Sequence, residues 1–70
     1  MLTEERMNQI MKEEAEKAAR GTRYDDEDLL ANARRHDSVL EMTEEGARQF
    51  FGYYFKEMAE MLEEEADEDH

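Results

Sequence analysis

The chain has 70 residues with 21 acidic and 9 basic side chains, giving a formal net charge of −12 at pH 7, and it contains no cysteine. The lack of cysteine excludes disulfide bridges, thiolate metal sites and a cysteine nucleophile. The strong negative charge disfavours direct binding to DNA, RNA or an anionic membrane, because the field of the protein repels polyanions.

No apolar run approaches the ~20 residues that a membrane-spanning helix needs, and the first residues lack the pattern of a secretion signal. We therefore expect a cytoplasmic protein. The core is small, since Leu, Ile, Val and Phe make up only 10 of the 70 residues. A core of this size stabilises a short chain weakly, so contact with a partner or a second copy is an expected source of stability.

The first helix is predicted over residues 3–20. Thr3 suits the N-cap position, and two acids follow it where they favour the positive end of the helix dipole. Apolar residues recur on one face at the helical period, and Gly21 suits the position just after the helix end.

The second helix is predicted over residues 25–36. Asp25 suits its N-cap, acids fill its first turn, and its last turn is basic and ends at His36. The connector that follows contains Val39 and Leu40, which we expect to pack beneath the helices.

The third helix is predicted over residues 44–63, with Thr43 as its N-cap and its apolar residues within one arc. The aromatic run at 50–55 also fits a strand, but its flanks keep the helical period. Gly52 lies away from the aromatic side chains, and it indicates either close approach of another surface or a tolerant exposed site. Residues 64–70 are expected to form a frayed acidic tail.

These elements predict an all-α fold, a small three-helix bundle over residues 1–63 followed by the acidic tail. A homodimer through the aromatic face of the third helix is an open alternative, because this helix has more apolar surface than the first two offer to cover.

The charge is unevenly distributed along the chain. Residues 1–24 hold five acids and five bases, residues 25–42 have a net charge of −4, and residues 43–70 have a net charge of −8. Partner-binding acids are therefore sought in the second and third helices.

Two acidic sets and one apolar set are the candidate contact residues. Acids three and four residues apart on a helix stand about 5–6 Å apart, which is comparable to the spacing of phosphates along a DNA strand. The alternative is that these acids are a solvated face with no partner. The acidic candidates are Asp25, Asp26, Asp28, Glu57, Glu60 and Glu64, and the apolar candidates are Tyr53, Phe51 and Phe55.

Catalytic and metal sites find no support in the sequence. The acids that begin at Asp25 lack the glycine and glutamate positions of a calcium loop, and a capped helix start explains them better. No His spacing typical of a metal site and no activated nucleophile is present. We therefore expect that the protein is not an enzyme and binds neither a metal nor a cofactor. A helix–turn–helix that binds DNA is also disfavoured, because its second helix would be acidic.

The leading hypothesis is a small acidic protein that inhibits or modulates a protein partner by occupying its basic, nucleic-acid-binding surface, in the manner of a DNA mimic. Its size and charge suit a viral or mobile-element inhibitor. The alternative is a structural subunit of a homo-oligomer or larger assembly, joined through the aromatic face of the third helix.

Overall fold

Three α-helices and one 3₁₀ turn make up the fold in the computed structural model, which describes the backbone of residues 1–68 and side chains through residue 66. In chain order the elements are α1 (Glu4–Ala19), α2 (Asp26–Ala31), the 3₁₀ turn (Asp37–Glu41) and α3 (Glu44–Glu68). No strand occurs in residues 1–68. The predicted all-α, three-helix fold is confirmed, and helix is the correct interpretation of the aromatic run.

Each helix begins at the predicted cap. The Thr3 hydroxyl accepts a hydrogen bond from the backbone amide three residues on, at 3.0 Å, and the Thr43 hydroxyl does the same at 3.0 Å. Asp25 and Asp28 form a reciprocal capping box at the start of α2. Gly21 follows the end of α1 with a φ of +82°, a left-handed conformation that favours glycine. Local hydrogen bonding therefore sets these boundaries.

The core lies between α1 and α3, which form the largest interface between elements. Phe51 and Phe55 on α3 are completely buried, and Ile10 on α1 is completely buried in the same core cluster. The shorter elements close the core with one residue each, Leu29 from α2 and Val39 from the 3₁₀ turn, both completely buried. The expectation that the connector packs beneath the helices is confirmed.

Gly52 faces α1, and a β-carbon at this position would lie 3.1 Å from Glu14 Oε1. Glu14 is only 7% exposed, and its carboxylate receives Lys17 Nζ at 3.1 Å and Arg48 Nη1 at 3.4 Å. The glycine thus makes room for a buried carboxylate between α1 and α3. Of the two interpretations of Gly52, close approach is confirmed.

α2 is shorter than predicted: it ends at Ala31 instead of residue 36. The Arg34 backbone amide donates to the Tyr54 hydroxyl at 3.0 Å, so it is not available for the bond to its i−4 carbonyl that a longer helix would make. His36 consequently lies outside α2, immediately before the 3₁₀ turn, and its placement in the last helical turn is wrong.

α3 is longer than predicted and continues to Glu68, five residues past the expected end. Glu, Ala and Leu are strong helix formers, so the backbone continues although the acids oppose the helix dipole. A separate tail over 64–70 is not shown, since α3 includes its residues through Glu68, and residues 69–70 lie outside the described residues.

The contact between Gly52 and Glu14 yields a stability prediction. At an open helical site Gly→Ala stabilises by about 1 kcal/mol. Gly52→Ala should give less than this gain or destabilise, because the new methyl group displaces the buried Glu14 carboxylate. In a Glu14→Ala background the same substitution should recover the gain of about 1 kcal/mol.

A double-mutant cycle measured by chemical denaturation isolates this coupling. An identical effect of Gly52→Ala in both backgrounds would show that the contact with Glu14 has no energetic role.

Candidate partner-binding surface

The outer side of α3 carries a row of three exposed acids, Glu57, Glu60 and Glu64, here called the acidic ridge. Their spacing of three and four residues places neighbouring side chains about 5–6 Å apart along a rigid helix. Tyr53 lies one turn before Glu57 and is 69% exposed. The core on the opposite side of α3 directs this row to solvent.

A second acidic surface begins α2 and consists of Asp25, Asp26 and Asp28, here called the acidic cap. Asp25 Oδ1 accepts from the Asp28 backbone amide at 2.9 Å, and Asp28 Oδ2 accepts from the Asp25 backbone amide at 3.1 Å. These two carboxylates therefore have a structural role as caps, as the sequence analysis expected. They remain exposed at the helix start.

The beginning of α2 is attached to the last part of α3. The Tyr24 hydroxyl donates to the Leu62 backbone carbonyl at 2.9 Å, and Arg23 Nε lies 3.8 Å from Glu63 Oε2. The acidic cap follows Tyr24 directly in the chain, so it lies at the same end of the molecule as Glu64. The fold therefore brings the two acidic surfaces, separated by about thirty residues in sequence, to one end of α3.

Other acids of the chain are engaged with bases. The ion pairs among the described side chains link either different elements or neighbouring positions of the chain. They join Arg6 to Glu44, Lys17 to Glu14, Arg23 to Glu63, Arg35 to Glu4 and Asp37, and Arg48 to Glu13 and Glu14. None of these pairs includes an acid of the ridge or of the cap. The ion-paired bases thus neutralise other acids, and the base that lies nearest Glu60 and Glu64 in the sequence, Lys56, shares a groove with them without forming an ion pair.

Arg6 and Arg48 form the ion pairs that join α1 to α3. The hydrogen bond from Arg6 raises its own pKa and lowers the pKa of Glu44, partly opposed by the desolvation of both groups. The hydrogen bond from Arg48 to Glu13 likewise raises the pKa of Arg48. Arg6 and Arg48 therefore contribute to holding α3 on α1.

The apolar candidates are separated by the fold. Phe51 and Phe55 are completely buried because they face α1, and among the three candidates only Tyr53 is exposed. The apolar contact predicted from these residues is thereby reduced to Tyr53. A contact through Phe51 or Phe55 would require the core to open.

Sequence reasoning missed a groove of about 420 Å³ between α3 and the segment 32–36, here called the α3 groove. The His36 ring lines it, and its centroid lies 5.1 Å from that of Phe50 and 4.9 Å from that of Tyr54 in edge-to-face geometry. The segment therefore covers aromatic surface that the sequence analysis expected to find exposed. The signal for it was Asn32, a residue that favours helix ends, inside the predicted second helix.

The described residues show neither a metal cluster nor a membrane span. No three His, Asp or Glu side chains among them are grouped to hold a metal ion. No helix within residues 1–68 has the length and apolar content needed to cross a bilayer.

Comparison with known proteins does not place the chain in a family. It matches no protein-family model, no characterised protein and no solved structure. Its function is therefore inferred from the arrangement of its own residues.

The lowered pKa of Glu44 predicts a pH dependence of stability. Because the folded-state pKa lies below the ordinary value of 4.5, pairing with Arg6 stabilises the fold above that value, and this contribution is lost as the pH falls through the lowered pKa. Glu44→Gln should therefore reduce the melting temperature at pH 7 and have little effect at strongly acidic pH.

Glu45→Gln is the matched control, since it removes a neighbouring exposed carboxylate from the same first turn of α3. The melting temperatures of both variants, measured between pH 3 and 7, test this prediction. An equal loss of stability in the two variants, or a loss for Glu44→Gln that persists at low pH, would contradict the assigned role of the Arg6 pair.

Proposed function

We propose that this protein is a non-enzymatic binding protein that inhibits or modulates a partner by occupying its basic, nucleic-acid-binding surface. The proposal assigns it to the cytoplasm and to the type of small acidic inhibitor that viruses and mobile elements use. It assigns no catalytic step and no cofactor to the chain.

The proposal depends on one observation, the exposure of the acidic ridge without ion pairs. Glu57, Glu60 and Glu64 are exposed, and none takes part in an ion pair among the described side chains. Placing like charges next to one another on a helix destabilises it slightly, so the row brings no stability to α3. A partner with Lys and Arg side chains would neutralise it.

The rigidity of α3 supports mimicry of a nucleic acid backbone. Carboxylates on consecutive turns are held at a fixed separation, whereas the same acids in a flexible segment would have to be ordered on binding. The acidic cap extends the negative surface at the Leu62 end of α3. A groove that accepts a phosphate backbone through its cations would meet a comparable row of charges here.

The alternative function, a structural or assembly subunit, is favoured by one observation, the 69% exposure of Tyr53. An exposed aromatic residue on a helix face is a frequent anchor at protein interfaces. This alternative predicts a stable oligomer at micromolar concentration that Tyr53→Ala dissociates. Sedimentation of the wild-type protein as a monomer would count against it.

A charge-neutralising variant tests the proposed function. The triple variant Glu57→Gln, Glu60→Gln and Glu64→Gln should weaken partner binding by about tenfold or more, since each ion pair at a partly exposed interface contributes up to ~1 kcal/mol. The control variant Glu5→Gln, Glu16→Gln and Glu45→Gln changes the net charge equally at exposed positions outside the ridge and the cap, and it should bind within about threefold of wild type.

The measurement uses the immobilised full-length chain to capture a partner from an extract of the source organism, followed by titration calorimetry with the purified partner. A 20-base-pair DNA duplex, or an RNA of similar length, should compete with the protein for that partner. Equal weakening by the two triple variants, or a partner that nucleic acid does not displace, would overturn the proposed function.

A further inference from the structure

We propose that the α3 groove is the docking site for a basic amphipathic helix of the partner, an assignment that rests on the proposed function. The helix would insert bulky apolar side chains into the groove and place its Lys and Arg side chains against Glu57 of the acidic ridge and against Glu65, which both line the groove. The proposal thus specifies the partner segment as helical, apolar on one face and basic beside it.

The floor of the groove is apolar and adaptable. It is formed by Tyr54, Met58, Met61 and Leu62. Met61 is 60% exposed although it is apolar. Methionine side chains are flexible and polarisable, and surfaces rich in them accommodate varied apolar partners. The groove therefore offers a contact that releases water from apolar surface.

The charge beside this floor has one predominant sign. Glu57 and Glu65 line the groove itself. Glu60 and Glu64 of the acidic ridge line a separate groove on the α1 side of α3. Arg34 stands on the opposite wall, in the segment 32–36. An apolar insert flanked by cations on the α3 side therefore complements the groove, whereas an acidic insert would be repelled.

The dimensions of the groove favour a helix as the occupant. Its α3 wall runs from Tyr54 to Glu65, which is about 16 Å at 1.5 Å per residue. Three turns of a helix cover that length and present apolar residues at i, i+3 or i+4, and i+7 to a shallow groove. The fold offers no sheet edge within residues 1–68 to which an extended peptide would add.

A second copy of the chain fits the groove less well. Each copy has a formal net charge of −12, and its own exposed apolar residue Met61 lies among the acids of α3. Packing two such helices together would bring like charges into contact, which costs affinity. Self-association through the groove is therefore disfavoured, and a dimer would contradict the proposed docking.

The test uses two synthetic 18-residue peptides and the full chain. The first peptide places Leu and Lys at the spacing of a basic amphipathic helix, and the second replaces every Leu with Ala and keeps every Lys. Wild-type protein should bind the Leu peptide about tenfold more tightly than the Ala peptide at 150 mM salt, measured by fluorescence anisotropy.

Substitutions of Met61 locate the contact. Met61→Gln should remove most of the tenfold preference because it replaces the apolar end of the side chain, whereas Met61→Leu should keep the preference. Both variants should fold, since this side chain is largely exposed, and circular dichroism verifies this. In the wild-type complex, the ε-methyl NMR signals of Met58 and Met61 should shift more than those of Met7 and Met11.

Three results would overturn the docking proposal: equal affinity for the two peptides, an unchanged preference in Met61→Gln, or a wild-type dimer that Met61→Gln converts to a monomer. The failure of the proposed function is separately visible. If the acidic ridge binds basic partners without the groove, the ridge triple variant weakens both peptides while the Leu preference is absent. If that variant weakens neither peptide, the ridge is not a binding surface for cations.

Discussion

Burial of Phe51 and Phe55 against α1 determines how the other elements of the fold are arranged. These two side chains give α3 a core face, and α1, α2 and the 3₁₀ turn each contribute residues that surround it. A helix whose one face is buried must turn its other face to solvent. The acidic ridge therefore points to solvent because the core occupies the other side of α3. The α3 groove lies between these two sides, where the segment 32–36 covers aromatic side chains of α3.

The distribution of ion pairs follows from the same packing. Because α1 lies along α3, Arg6 and Arg48 meet Glu44 and Glu13 across the interface and strengthen it. Among the described side chains, acids near the core thus have cationic partners while the acids of the ridge do not. The acids that give this short chain its large net charge therefore fall into two groups. One group stabilises the fold through ion pairs, and the other is directed to solvent.

Much of the fold was predictable from the sequence because its determinants are local. Thr3, Asp25 and Thr43 each bond to a backbone amide three residues away, and apolar periodicity identifies the face of each long helix. The end of α2 has one local determinant, the Asn32 side chain, which donates to the Asp28 carbonyl. Its other determinant is not local and was not predictable, because the Arg34 amide donates to a Tyr54 hydroxyl twenty residues away.

The parts of the candidate site likewise differ in how far the sequence predicts them. The acidic ridge follows from residue spacing on one helix, and so it was predictable. The burial of Phe51 and Phe55 depends on which part of the apolar arc α1 covers, and the α3 groove depends on where the chain runs after α2. Both are tertiary features, and Asn32 is the single local signal, since it indicates only that the second helix ends early and not where the chain runs afterwards.

The salt dependence of affinity shows whether the carboxylates of the acidic ridge on α3 bind the partner. Ion pairs at an interface weaken as salt shortens the Debye length from about 14 Å near 50 mM to about 4 Å near 500 mM. The affinity of the wild-type protein for its purified partner should fall by about tenfold or more over this range. An affinity that stays constant from 50 to 500 mM salt would show that these carboxylates do not carry the binding.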